Sequence, residues 1–205
     1  CETPENVRRN LQASIARPYV RFNEWLDRES GACSIVGSGP SLKRTWRDLV
    51  GDVIACNGAL GFLLDHGVVP KFAMFFDAAE IVAKFARAHP DVTYLVASRC
   101  HPAVFDALEG CRVITWHVAG DEAIDQMLGE ANRMEPMVHG GSAAVTRTMM
   151  LAHALGYREQ HWFGADSSRD EEGETHVRGS LVEERWLRVM VARRWVDTTP
   201  WLCGQ

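Results

Sequence analysis

Ile35-Val36-Gly37-Ser38-Gly39-Pro40-Ser41-Leu42 is the stretch on which the fold turns. A short apolar run, residues 33–36, breaks at two glycines and passes through a proline and a serine into a helix-like segment carrying Trp46 and Leu49. Glycine permits a tight turn and close backbone approach, and amides freed at a helix start face an anion favourably. A phosphate or ribose at Gly37, Ser38, Gly39 and Ser41 is therefore the functional expectation. An ordinary strand-to-helix turn is the rival, because a lone Gly-x-Gly is a weak signal.

Outward from this turn, further apolar runs at 53–56, 72–76, 93–97, 112–116 and 160–163 alternate with helix-like stretches at 57–66, 79–89, 102–108, 121–128 and 142–155. Repeated strand–helix units predict an α/β, Rossmann-like fold: a mainly parallel sheet with helices on both faces, in a single domain. Gly67, Pro90, Gly110 and Gly156 stand where those helices should stop. Before the first strand, Val7, Leu11 and Ile15 recur at helical spacing until Pro18. Residues 1–30 are expected to form an N-terminal helical appendage to a nucleotide-binding domain over 31–205. At the other end, residues 181–196 place Val182, Trp186, Val189 and Met190 on one stripe with arginines opposite. That spacing predicts an amphipathic helix covering either the sheet edge or a second subunit, and the second case would make a homo-oligomer.

Composition narrows the partners. In 205 residues, 46% are hydrophobic and 24% charged, enough to bury a core without disulfides or a structural metal. A net charge of -5 lacks the basic footprint that neutralises phosphates on DNA or RNA, so no nucleic-acid partner is expected. The six cysteines, at 1, 33, 56, 100, 111 and 203, form neither a Cys-x-x-Cys pair nor a zinc-type alternation with histidine, and read as reduced thiols. No signal-like apolar segment or membrane-length run occurs, which favours a cytoplasmic protein with no membrane partner.

The ligand is narrowed by what the turns lack. A dinucleotide fingerprint wants a third glycine where Leu42 stands, and an acid about twenty residues on, where the chain has Cys56-Asn57-Gly58. A Walker-type Gly-Lys-Ser/Thr is missing too, which argues against a P-loop kinase. Asn57 offers an amide to a base, ribose or phosphate; helix capping is its other reading. Asp77 and Asp166 each follow a predicted strand and stand at the carboxyl edge, where open α/β sheets bind ligands. They are expected to share a site, holding Mg²⁺ or orienting a hydroxyl, unless each simply caps the next segment. A second anion-binding turn is predicted at His139-Gly140-Gly141-Ser142, with Ser142 opening the long helix; a plain serine cap is the alternative. The polar stretch after Asp166 has the length of a lid, and its His176 titrates near neutrality, suiting a general acid or base or a merely solvated side chain.

Taken together, the first loop, Ala55-Cys56-Asn57, Phe76-Asp77, His139-Gly140-Gly141-Ser142, Ala154-Leu155-Gly156-Tyr157, and Gly164-Ala165-Asp166 followed by His176 resemble the MptE-like family, across about residues 32–179. That family is named after an archaeal pterin pyrophosphokinase and includes the Maf proteins linked to flagellin glycosylation. Its core is similar to bacterial sialyltransferases that use CMP-sialic acid, although Ser38 stands where those carry Asn. The resemblance implies nucleotide contacts at Gly37, Ser38, Gly39, Ser41, Asn57, Gly140, Gly141 and Ser142, with Asp77 and Asp166 as metal or ribose ligands. His176, with Asp166, would be catalytic. The implied function is a transferase drawing on a nucleotide or nucleotide sugar, a CMP-sugar or ATP, with a hydroxyl acceptor. Glycosyl transfer comes first, Mg-ATP-dependent pyrophosphoryl transfer to a hydroxymethylpterin-like substrate second, and a non-catalytic nucleotide-binding module third.

Overall fold

Strands rich in Val, Ile, Leu and Phe on both faces must be covered on both faces, and the fold meets that demand with one parallel sheet. The computed structural model describes residues 3–120, 122–130, 135–177, 187–191 and 193–198. In chain order the elements are α1 (Pro4–Ile15), β1 (Val20–Arg21), β2 (Ala32–Val36), α2 (Leu42–Thr45), β3 (Asp52–Cys56), α3 (Ala59–Asp65), β4 (Phe72–Phe75) and β5 (Thr93–Ala97). They continue as α4 (Pro102–Ala107), β6 (Arg112–Val118), α5 (Glu122–Glu130), β7 (Met137–Val138), α6 (Ala144–Leu155), β8 (Glu159–Phe163), β9 (Leu187–Val191) and β10 (Arg194–Thr198).

The main sheet runs β1-β6-β5-β4-β3-β2-β8, with β7 paired to the end of β6, and its pairings are parallel. From β2 the chain steps one way through β3, β4, β5 and β6, then returns through α6 to lay β8 on the other side of β2. Strand order thus reverses between β2 and β8, and a crevice opens outside the carboxyl ends of strands at such a reversal. Right-handed crossovers put the outward-stepping connections on one face and the returning α6 on the other. Ile35, Ile54, Phe72, Tyr94, Leu95, Ile114 and Trp116 fill the core.

Several expectations change. Residues 3–30 pack onto the sheet and add to it: β1 pairs β6 in parallel, Leu11 and Phe22 lie in the main core, and Glu29 N donates to Leu155 O. Side chains of α1 also tie down the carboxyl edge, where Asn10 Nδ2 donates to Ala78 O and Arg99 O and Ser14 Oγ to Ser98 O. The helix predicted over 79–89 is a 3-10 turn over Glu80–Phe85, entered from an extended Ala79 whose side chain cannot cap it. In place of a helix over 181–196, residues 187–198 form the antiparallel hairpin β9–β10; residues 181–186 and 192 lie outside the described residues. The turn at Arg193 has φ 66, and β-branched Val189, Val191, Val196 and Thr198 suit paired strands. Arg188 and Asp197 face each other in register and form an ion pair, which a helical reading of the stripe could not anticipate. The proposed subunit contact through a C-terminal helix loses its helix. Cys33, Cys56, Cys100 and Cys111 are free thiols, while Cys1 and Cys203 are outside the described residues. Among the described residues no helix is long and apolar enough to cross a membrane.

Candidate functional site

At the strand-order reversal the backbones of two loops cross. Gly37 N donates to Phe163 O and Gly39 N to Gly164 O, both at 2.8 Å, carrying the β2–β8 ladder past the strand ends. Gly164 takes φ 60, and a Cβ there would overlap Gly37 O; a Cβ on Gly37 would overlap Gly164 O in return. Neither position has room for any other residue. Gly39 serves a different neighbour, because a Cβ on it would strike the carboxylate of Asp166. With that space open, Asp166 Oδ2 accepts from Ser41 N at 2.8 Å. The helix expected after Ser41 is only the four residues of α2 before a 3-10 turn at Trp46–Asp48, so its dipole is short. The chain's own carboxylate therefore occupies the amide that the sequence offered to a phosphate.

Ser38 is where the other predicted residues gather. Val177 N donates to Ser38 O at 2.8 Å, pinning the end of the polar loop to the glycine turn and holding the exposed His176 beside it. The His176 ring meets Thr175 Oγ1 at 2.9 Å from Nδ1. On the opposite flank a Cβ on Gly58 would touch Ser38 Cβ at 3.5 Å, so the turn after β3 packs there too. Asn57 in that turn has φ 43, which starts α3 two residues later than the spacing predicts. Its Nδ2 donates to Asp77 Oδ2 at 2.8 Å, while its buried Oδ1 has no hydrogen-bond partner. Because an ionised carboxylate only accepts, Asp77 fixes which way the amide faces. Asn57 thereby presents a bare acceptor at the carboxyl edge.

The second glycine turn reaches the same crevice by its helix. Val145, in the first turn of α6, would be struck by a Cβ on Gly37. Ser142 does not open that helix; Ala143 is its N-cap residue, in extended conformation, with no side-chain cap, while Gly140, Gly141 and Ser142 stay exposed before it. Gly140, at φ 146, makes room for Arg147, whose Cα and Cδ a Cβ would approach at 3.1 and 3.2 Å. The two acids are not neighbours by topology. Asp77 follows β4 and Asp166 follows β8, with β3 and β2 between them, roughly 14 Å at ordinary strand spacing. Among the described residues no three His, Cys, Asp or Glu side chains gather as a cation site.

The family model described as 6-hydroxymethylpterin diphosphokinase MptE-like matches residues 3–172. The chain belongs to the MptE-like family. Among solved structures this MptE-like chain is similar to the Maf glycosyltransferase from Magnetospirillum magneticum AMB-1, with 18% identity and a TM-score of 0.66. That match covers 98% of this chain and 33% of the other, so the chain spans about a third of the Maf protein's length. A mammalian sialyltransferase in complex with Gal-beta-1-3GalNAc-ortho-nitrophenol is also similar, at 11% identity and a TM-score of 0.44, covering 87% of this chain and 78% of that one. No curated protein matches. At 18% identity the likeness to the Maf structure shows a shared fold.

Beyond the residues picked out from the sequence, the MptE-like edge holds polar groups that its motifs did not mark. His117 meets Ser98 Oγ through Nδ1 and Glu135 Oε2 through Nε2, both at 2.8 Å, and Arg21 of β1 stands 3.5 Å from the same carboxylate. Arg147 is the other omission. It shares the buried stripe of α6 with Leu151 and Leu155, and a cation at a core position of an apolar helix was the signal available. Cys56 in β3, beside Thr148 of α6 at 3.2 Å, is no nucleophile, since burial pushes its thiol up to about 12.

Proposed function

We propose that this chain is a nucleotide-dependent transferase that moves a glycosyl group from a nucleotide sugar to a hydroxyl acceptor. The observation that carries the reading is the backbone bond from Val177 to Ser38, which brings His176 to the glycine turn at the strand-order reversal. A general base must stand within reach of the proton it takes, and His176 is exposed at that mouth. Gly37, Ser38, Gly39 and Ser41 would shape one wall, Asn57 Oδ1 would accept from a ribose hydroxyl or base amine, and Gly140, Gly141 and Ser142 would close the other side. In this reading Asp166 holds the Ser41 amide, and its part in catalysis is to position the turn. His176 would deprotonate the acceptor as the nucleotide departs. The membership of the Maf glycosyltransferase's fold supports the reaction class by likeness only.

Nucleotide release from CMP- or UDP-sugars in the presence of hydroxyl acceptors tests this. Release should fall by about two to four orders of magnitude in His176→Ala, the range of general acid–base catalysis. Undiminished turnover would remove the histidine from the mechanism.

The family's own description favours a second reading, transfer of pyrophosphate from ATP to a hydroxymethylpterin-like alcohol. Such chemistry draws on Mg²⁺ to neutralise the bridged phosphates. Asp77 and Asp166 do not fit a shared protein-held ion, because one engages Asn57, the other Ser41, and two strands separate them. AMP formation from ATP and a hydroxymethylpterin would establish this reading in place of the first. Nucleotide binding without turnover of either donor would leave a binding module.

A further inference from the structure

Near the carboxyl end of β4 one buried side chain carries a charge that no counter-charge meets among the described residues. Arg147 of α6 is 8% exposed, and its guanidinium lies over the Phe76 ring at 5.2 Å. Nη1 donates to Val138 O at 2.9 Å, whereas Nε is buried with no acceptor. Among the described residues no carboxylate pairs with it. Arg99 stands over the same ring at 5.4 Å. Burial, and then the charge of Arg99, lower the Arg147 pKa. A buried cation without an ion-pair partner is costly unless something anionic completes it. Guanidinium is also the side chain best shaped for oxyanions.

The surroundings are arranged to keep this side chain in place. Gly140 at φ 146 leaves the space that its Cα and Cδ occupy, and the stem of the residue follows the same stripe as Leu151 and Leu155. Trp116 stacks against Phe76 with rings 13° apart, so the ring under the two guanidiniums is itself fixed. Phe76 is followed by Asp77, which holds Asn57, so the ring stands at the carboxyl edge.

We propose that Arg147, over Phe76, binds an oxyanion of the ligand, a phosphate or a sugar carboxylate, separate from the amides of the Gly37–Ser41 turn. Only the identity of the whole ligand rests on the transferase reading. The oxyanion site stands on the buried cation itself.

Calorimetric titration and thermal melts of the purified chain with inorganic phosphate, with glucuronate, and with neutral glucose at constant ionic strength test it. Phosphate or glucuronate should bind and raise Tm, glucose should not, and which anion acts identifies the source. In Arg147→Met the affinity should fall by about tenfold or more, the range for a lost charged hydrogen bond. Arg147→Lys, which keeps the charge, should recover part of it. The ligand-free melting point of Arg147→Met should equal or exceed that of the wild type, since the apolar chain removes an unpaired buried charge. A clearly lower ligand-free Tm in Arg147→Met, or anion binding unchanged in both variants, would overturn the proposal and make the arginine a structural residue. CMP binding in the same variants separates the two readings. If CMP binds while anions ignore Arg147, the oxyanion site fails alone; if anions need Arg147 but no nucleotide binds, the transferase reading fails alone.

Discussion

Two glycine turns meet at the carboxyl edge, and they tolerate change very differently. At Gly37 and Gly164 the obstacle to a side chain is backbone, each glycine blocked by the carbonyl oxygen of the other. At Gly141 a Cβ would meet the Thr146 side chain, whose Oγ1 can rotate away at the loss of its 2.9 Å bond to Ala143 O but whose Cβ, 2.8 Å off, clears only if the exposed turn shifts. The crossing cannot yield without moving a strand, whereas the exposed turn over residues 140–142 can shift by the few tenths of an ångström that Thr146 Cβ demands. The first crossing is thus a fixed hinge between β2 and β8, and the second turn is an adjustable rim.

The most damaging change should be Gly164→Ala. It adds a left-handed backbone penalty to an overlap with Gly37 O, for a loss of about 3 kcal/mol or more in urea unfolding, together with the loss of nucleotide binding. A stable Gly164→Ala protein would break the distinction between the turns. Next comes Asp166→Ala, which strips Ser41 N of its carboxylate acceptor and should cost about 1–3 kcal/mol in the same measurement. If nucleotide affinity instead rises in this variant, the carboxylate is a stand-in for the ligand's phosphate. Gly141→Ala, which needs only a shift of an exposed turn, should cost about 1 kcal/mol, well short of Gly164→Ala, and leave circular dichroism unaltered.

The opposite end of the sheet supplies a control, and the smallest effect. Burial alone would raise the Asp52 pKa, but hydrogen bonds from Lys71 and Tyr157 outweigh it and hold the carboxyl below its usual 3.8. A depressed carboxyl pKa stabilises the fold above the unfolded value and loses that contribution as pH falls through the folded one. Unfolding titrations between pH 5 and 2 should show a modest acid-side loss that Asp52→Asn removes. A site variant at Gly141 should leave that acid limb untouched.

The sheet was legible because burial on both faces leaves a simple trace: the runs at 33–36, 53–56 and 93–97 fall within one residue of β2, β3 and β5. Short or paired elements left weaker traces. Two-residue β1 and β7 carry no period, and β9–β10 alternates Leu187, Val189 and Val191 in a segment whose larger residues also fit a helical stripe. At the site, residue types that end strands were visible, namely Gly37, Asn57, Asp77 and Asp166. Their pairings were not. That Asp166 turns to Ser41 and Asp77 to Asn57 depends on which strands are adjacent, which local sequence does not encode. Arg147 escaped notice because its meaning lies in the missing counter-charge, a property of the fold.

The parallel contact of Val20 and Arg21 with Ile114 and Thr115 has a consequence for solubility. A central strand as apolar as β6 would be an open template for intermolecular pairing if it ended the sheet. The two residues of β1 shield that border, and so brief a strand, carrying exposed Arg21, offers a newcomer almost nothing to extend. Trimming the chain through residue 21 should thus favour self-association during refolding.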